Sequence, residues 1–149
     1  MRKLRTEKAR PEVAVSSNRP AAKPLKVLLV EDNAADVLLF QEALQEIPIK
    51  VDVEVAPDAE KALVLLSDRA FESDLVVLDL NLPKLWGYQV LERYTRKNIP
   101  VVVFTSSRSE VDARCALSLG AREVIHKPTE LQPYRDTVRT IIEKWVSQT

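Results

Sequence analysis

The sequence predicts a single α/β domain, a doubly wound sheet of five parallel strands with helices on both faces, and three observations carry that prediction. From Leu25 onward, short β-branched apolar runs alternate with longer stretches of helical period, the signature of βα units. Five such repeats fit the chain, with strands at about 26–30, 51–55, 75–78, 101–104 and 123–126. Three runs end in charge: Lys26-Val27-Leu28-Leu29-Val30 in Glu31-Asp32, Leu75-Val76-Val77-Leu78 in Asp79, and Val124-Ile125-His126 in Lys127-Pro128.

In chain order, the first strand is read at about 26–30, and Val37, Leu38, Leu44 and Ile47 give the first helix its apolar face. A second strand at about 51–55 leads to a helix carrying Ala59, Ala62, Leu63, Leu66 and Ala70. The third strand occupies about 75–78. Its helix starts after Gly87 and holds Val90, Leu91 and Tyr94 before Pro100 opens the fourth strand at about 101–104. Val111, Ala116, Leu117 and Leu119 mark a fourth helix, with Gly120 as its C-cap. The fifth strand falls at about 123–126 and the last helix at about 132–146. On that helix Val138, Ile141, Ile142, Trp145 and Val146 form a stripe at i, i+3, i+4, i+7 and i+8.

Composition narrows the function classes. The chain has 149 residues, 46% apolar and 30% charged, enough for one core and too few for two ordinary domains. Neither a spanning helix nor the apolar heart of a signal peptide is present, so a cytoplasmic location and no membrane partner are expected. Cys115 is the single cysteine, which leaves no internal disulfide and no paired-cysteine metal framework. Gly87 and Gly120 are the only glycines, which excludes the glycine-rich phosphate loops of dinucleotide-binding and P-loop proteins. Net charge is zero but uneven. Residues 1–24 carry seven Lys or Arg against Glu7 and Glu12, a basic, proline-containing stretch read as a disordered tail without the aromatic interleaving of a nucleic-acid binder. The ordered domain is then 25–149.

Parallel strands bring their C-terminal ends to one edge, and in a doubly wound sheet the ligand crevice lies there. Glu31, Asp32, Asp79 and Lys127 would therefore converge, with the hydroxyls of Thr105 and Ser106 emerging after Val101-Val102-Val103-Phe104. Carboxylates at such a point suit Mg²⁺, a small hard cation that keeps several waters and takes one or two carboxylates plus phosphate oxygens. A carboxylate can also attack a phosphoryl group to give an aspartyl-phosphate, with a metal and a lysine screening the repulsion. Each residue has a purely local alternative. Asp32 or Asn33 can cap a helix, Asp79 can open an Asx turn before Leu82-Pro83, Thr105 and Ser106 can cap a turn, and Lys127 can be a solvated lysine. The Lys127-Pro128 bond can be cis or trans.

In their order and spacing, LVEDN (Leu29 to Asn33), LDLNLP (Leu78 to Pro83), FTS (Phe104 to Ser106) and HKP (His126 to Pro128) resemble the motifs of the receiver domains of bacterial two-component response regulators. The resemblance covers 25–149 and implies strand order 2-1-3-4-5. It implies that Asp79 accepts a phosphoryl group from a sensor histidine kinase, and that Glu31 and Asp32 organise Mg²⁺ with Asp79 and the Asn81 backbone carbonyl. Thr105 and Lys127 would bind phosphoryl oxygens, and Ser107 and Asn81 would tune autodephosphorylation. VEDNAADVLLFQEAL, DLNLPKLWGYQVL and IIEKWV are further similar to stand-alone regulators that partner bacterial phytochromes.

Two positions depart from the family pattern. Val124 stands where many members carry an aromatic switch residue, and Trp86 where a small or acidic residue is common. The chain's end at Thr149 carries the expectation that output runs through the receiver's own surface, with no enzymatic or DNA-binding domain and no direct nucleic-acid contact. Trp145 and Val146 suggest an isologous homodimer as that output, beside the alternative that the whole stripe is core. A rival class is a pseudo-receiver, an interaction module working without phosphorylation. A phosphatase acting on external substrates is a third. Phosphatases of the haloacid-dehalogenase type resemble DxD here, but Asp79-Leu80-Asn81 lacks the second acid, since an amide cannot serve as general acid.

Overall fold

A computed structural model describes residues 23–82 and 86–148, with only the backbone of Trp86. Ten elements alternate: β1 Leu25–Val30, α1 Ala34–Gln45, β2 Val51–Ala56, α2 Ala59–Leu66, β3 Leu75–Leu78, α3 Trp86–Arg96, β4 Val101–Thr105, α4 Glu110–Ser118, β5 Glu123–His126 and α5 Leu131–Val146. All strand pairs are parallel, in the order β2-β1-β3-β4-β5. The expected doubly wound order is therefore observed. The expected tail lies outside the described residues except for Lys23 and Pro24.

Burial follows position in the sheet. The inner strands β3 and β4 are buried throughout, and β1 at all but Lys26. β2, at one edge, reads Val-Asp-Val-Glu-Val with its acids exposed and its valines partly covered, the alternation of a strand with one face packed. β5, at the other edge, is only half-buried. One face of the sheet packs Val27, Leu29, Val77, Val102 and Phe104 against Phe40 and Ala43 of α1 and the buried side of α5. The other packs Leu28, Val30, Leu78, Val101 and Val103 against α2, α3 and Ala116 of α4. Tyr94, fully buried, donates its hydroxyl to the Ala62 carbonyl at 2.6 Å and ties α3 to α2.

Several expectations need correction. Leu38, Val111 and Leu117 were expected on buried faces, but they are 56%, 60% and 49% exposed. At 100° per residue, Leu38 lies about 200° around α1 from Phe40, which fixes the buried side, and Leu117 about 100° around α4 from Ala116. Ala70 lies beyond α2, and Ile47 beyond α1, although Ile47 is buried where the chain turns back. Gly120 does end α4, just past the Leu119 cap, with φ +110°. The homodimer loses its structural argument. Val138, Ile141, Ile142, Trp145 and Val146 are all buried within this one chain, so the stripe offers no free apolar surface.

Candidate functional site

Backbone pairing sets the site residues in one row. The Glu31 N–H donates to the Ala56 carbonyl, the Asp79 N–H to Val30 and the Lys127 N–H to Thr105, so each continues the ladder one step past its strand. Thr105 itself ends β4. Aromatics aside, Glu31, Asp79, Thr105 and Lys127 are the only buried polar or charged side chains among the described residues. A sheet that buries charge at one edge alone has concentrated its chemistry there.

The Lys127 ammonium is the hub. It donates to Glu31 Oε1 at 2.6 Å, Asp79 Oδ2 at 3.0 Å and Asp36 Oδ2 at 3.1 Å, matching its three hydrogens to three carboxylates. Its Nζ also lies 5.9 Å from the Phe104 ring centroid. Asp36 was not singled out from the sequence. Asn33 caps α1, its side chain accepting the Asp36 N–H at 3.0 Å, and the first helical turn then carries the Asp36 carboxylate to the strand ends. The signal was an acid three residues after a capping asparagine. Both local alternatives for the acids thus hold together with convergence. Asp79 Oδ1 accepts the Asn81 N–H at 2.9 Å in an Asx turn, while its Oδ2 faces Lys127.

Three carboxylates around one ammonium leave excess negative charge. Burial pushes the Glu31 carboxyl up to about 7, with the Asp79 charge adding to the rise and the Lys127 hydrogen bond opposing it. Burial alone would lower the Lys127 pKa, but its bond to Glu31 and the charges of Asp79 and Glu31 outweigh that and hold it well above its ordinary value. Burial thus raises Glu31, while the anions gathered around Lys127 raise the ammonium.

The oxygens of Glu31, Asp36 and Asp79 lie within 4.8 Å of one another, an all-oxygen donor set of the kind hard divalent cations take. Asp32 is exposed and is not one of these three. Thr105 Oγ1 accepts the Ser107 N–H at 3.2 Å, and Ser106 Oγ accepts from Asn81 Nδ2 at 3.2 Å. Ser107 turns its hydroxyl toward α4. Val124 packs against the α2–α4 face of the core. The Trp86 side chain lies outside the described residues, and Lys127-Pro128 is trans.

A family model for the response regulator receiver domain matches residues 27–139. The chain belongs to the receiver domain family of response regulators. Among its relatives, the probable methanogenesis regulatory protein FilR2 of Methanothrix harundinacea is 35% identical, over 85% of this chain and 86% of that protein. The response regulator Rcp1 of Synechocystis sp. is 33% identical, over 83% of this chain and 90% of its own length. Of solved receiver structures, the phosphorylated cyanobacterial phytochrome response regulator RcpA superposes with a TM-score of 0.78 at 36% identity, covering 85% of this chain and 97% of that one. The Mn²⁺-bound form of Rcp1 gives 0.76 at 32%, with the same coverage. Receiver domains partner histidine kinases in two-component signalling, and a divalent metal is part of that chemistry. No helix among the described residues is long and apolar enough to cross a membrane.

Proposed function

We propose that this receiver domain is a phosphoacceptor switch. Asp79 takes a phosphoryl group from a sensor histidine kinase in a Mg²⁺-dependent reaction, and the domain signals through its own surface in the cytoplasm. The observation that carries the reading is the buried Lys127 ammonium hydrogen-bonded to Asp79 and Glu31 at the strand ends, a charge cluster that packing alone does not call for.

In the transfer, an Asp79 carboxylate oxygen attacks phosphorus, and the bond from phosphorus to the donor imidazole nitrogen breaks with the electron pair leaving on nitrogen. Lys127, already 3.0 Å from Asp79 Oδ2, stays beside the new acyl phosphate and neutralises one of its oxygens. Thr105 ends the neighbouring strand, and its hydroxyl donates to a second oxygen. A bound divalent cation supplies Lewis-acid screening of the phosphoryl charge. Glu31, Asp32, Asp79 and the Asn81 carbonyl would hold it, with Asp36 as an added acid beside them. Ser106 and Ser107, directly after Thr105, act as tuning residues at this edge. The likeness to RcpA, a cyanobacterial phytochrome response regulator, supports a phytochrome-type kinase as the partner.

The test is intact mass after incubation with acetyl phosphate. A single phosphoryl adduct that requires Mg²⁺ and disappears in Asp79→Asn is expected. A wild-type protein that takes no phosphoryl group and does not respond to beryllofluoride would instead be a pseudo-receiver.

A further inference from the structure

A chain of side chains outside the charge cluster runs from α3 to the segment after β4. The Tyr88 hydroxyl donates to Asp112 Oδ1 at 3.1 Å, and the Ser107 hydroxyl donates to Asp112 Oδ2 at 3.0 Å. Each carboxylate oxygen of Asp112 therefore takes a hydrogen from a different element. Asp112 is fixed on α4 because the Ser109 hydroxyl oxygen caps that helix by accepting the Asp112 N–H at 3.2 Å. Ser107 Oγ also accepts the Ser109 N–H at 3.2 Å. A serine hydroxyl has a single hydrogen, and here it is committed to Asp112.

The same segment touches the phosphoacceptor edge on its other side. The Ser107 N–H rests on Thr105 Oγ1, and Ser106 Oγ is bonded to Asn81, whose own N–H is bonded to Asp79. One side of the segment is thus held by the Asp79–Asn81 turn and the other by α4. Tyr88 remains a donor throughout the physiological range, since burial and the Asp112 carboxylate push its phenol up to about 12. Val124 supplies no ring that could swing between buried and exposed positions, so coupling between the site and this face of the fold needs another carrier.

We propose that Asp112, steadied by Tyr88, is a positioning residue that prolongs the life of the Asp79 phosphoryl group by holding the Ser107 hydroxyl toward α4 and away from the site. This rests on Asp79 being the phosphoacceptor. In the hydrolysis it restrains, a water oxygen attacks phosphorus, the bond from phosphorus to the Asp79 oxygen breaks, its electron pair restores the carboxylate, and inorganic phosphate leaves. A Ser107 hydroxyl released from Asp112 can turn to the site and hydrogen-bond that water. Bound to Asp112, it is turned the wrong way.

The experiment loads the full chain with acetyl phosphate and Mg²⁺, removes the donor and follows the adduct by intact mass. Asp112→Ala should shorten the half-life roughly two- to tenfold, the range that one intramolecular hydrogen bond is worth. Tyr88→Phe should do so less, and Asp112→Asn, whose amide oxygen still accepts from Ser107, should stay near wild type. Asp112→Ala combined with Ser107→Ala should match Ser107→Ala alone, because the effect passes through that hydroxyl. An unchanged half-life in Asp112→Ala, or a change that persists undiminished without the Ser107 hydroxyl, overturns the proposal and leaves the phosphoacceptor reading standing. Absence of any adduct on wild type overturns both.

Discussion

Replacing Lys127 with methionine keeps a long unbranched side chain and removes the ammonium that Glu31, Asp79 and Asp36 share. Glu31 and Asp79 are 3% and 5% exposed, so they cannot recover the lost interaction from water. Removing one partner of a buried ion pair costs about 3–5 kcal/mol. For a domain of this size that is on the order of 10–20 °C in Tm. The cost should depend on pH. Glu31 titrates at about 7 even with Lys127 present. In Lys127→Met its pKa rises further, and a proton takes over part of the cation's role below neutrality. Urea unfolding of wild type and variant at pH 5 and pH 8 reads this directly, with the full loss at pH 8 and a smaller one at pH 5. Added Mg²⁺ should recover part of the loss at pH 8, since a divalent cation among the same carboxylates replaces the missing charge. A variant within about 0.5 kcal/mol of wild type at pH 8, as for an ordinary surface substitution, would refute the reasoning. So would a loss that grows toward pH 5.

The pH argument has a second consequence at Glu31 alone. Its folded pKa of about 7 lies above its ordinary 4.5, so its contribution to stability is complete below 4.5 and is lost as pH rises through 7. Glu31→Gln should flatten the fall in urea midpoint between pH 5 and pH 8, and an equal fall in both proteins would contradict that. Trp145→Ala should destabilise by about 3–5 kcal/mol through cavity formation, with no change in sedimentation. A stable but dissociated variant would place that face in a dimer instead. Gly120→Ala should lower stability by about 1–3 kcal/mol, because a non-glycine residue is strained at its positive φ. The added Cβ would also meet Thr95 Cγ2 at 2.9 Å. An unchanged Tm would show that the turn relaxes freely.

The parts of this fold that were legible in the sequence are those where burial is two-sided. β1, β3 and β4 read as continuous apolar runs because helices cover both of their faces. Their ends were equally legible, since charge directly after such a run can only stand at the sheet edge. Asp36 was not, because its place depends on how Asn33 starts α1 and not on any strand. The helices misled where their apolar residues are more numerous than the sheet can cover. α4 buries only Ala116, so Val111 and Leu117 remain outside despite their spacing. α5 misled in the opposite sense. Its stripe looked wide enough to serve a partner, yet Trp145 and Val146 are absorbed by the core formed with β1, β3 and α1. The bonds from Tyr88 and Ser107 to Asp112 join positions 24 and 5 residues apart, and neither residue type nor spacing marks them.

The central claim is that one carboxylate among several at the strand ends, Asp79, carries the phosphoryl group. Borohydride reduces an acyl phosphate to the alcohol, leaving homoserine at an aspartate and hydroxynorvaline at a glutamate, which peptide mass mapping locates. After acetyl phosphate and Mg²⁺, the account predicts homoserine at position 79 in wild type, with Glu31, Asp32 and Asp36 unmodified. A mark on any of those three, or no mark on a protein that has taken up phosphate, would contradict it.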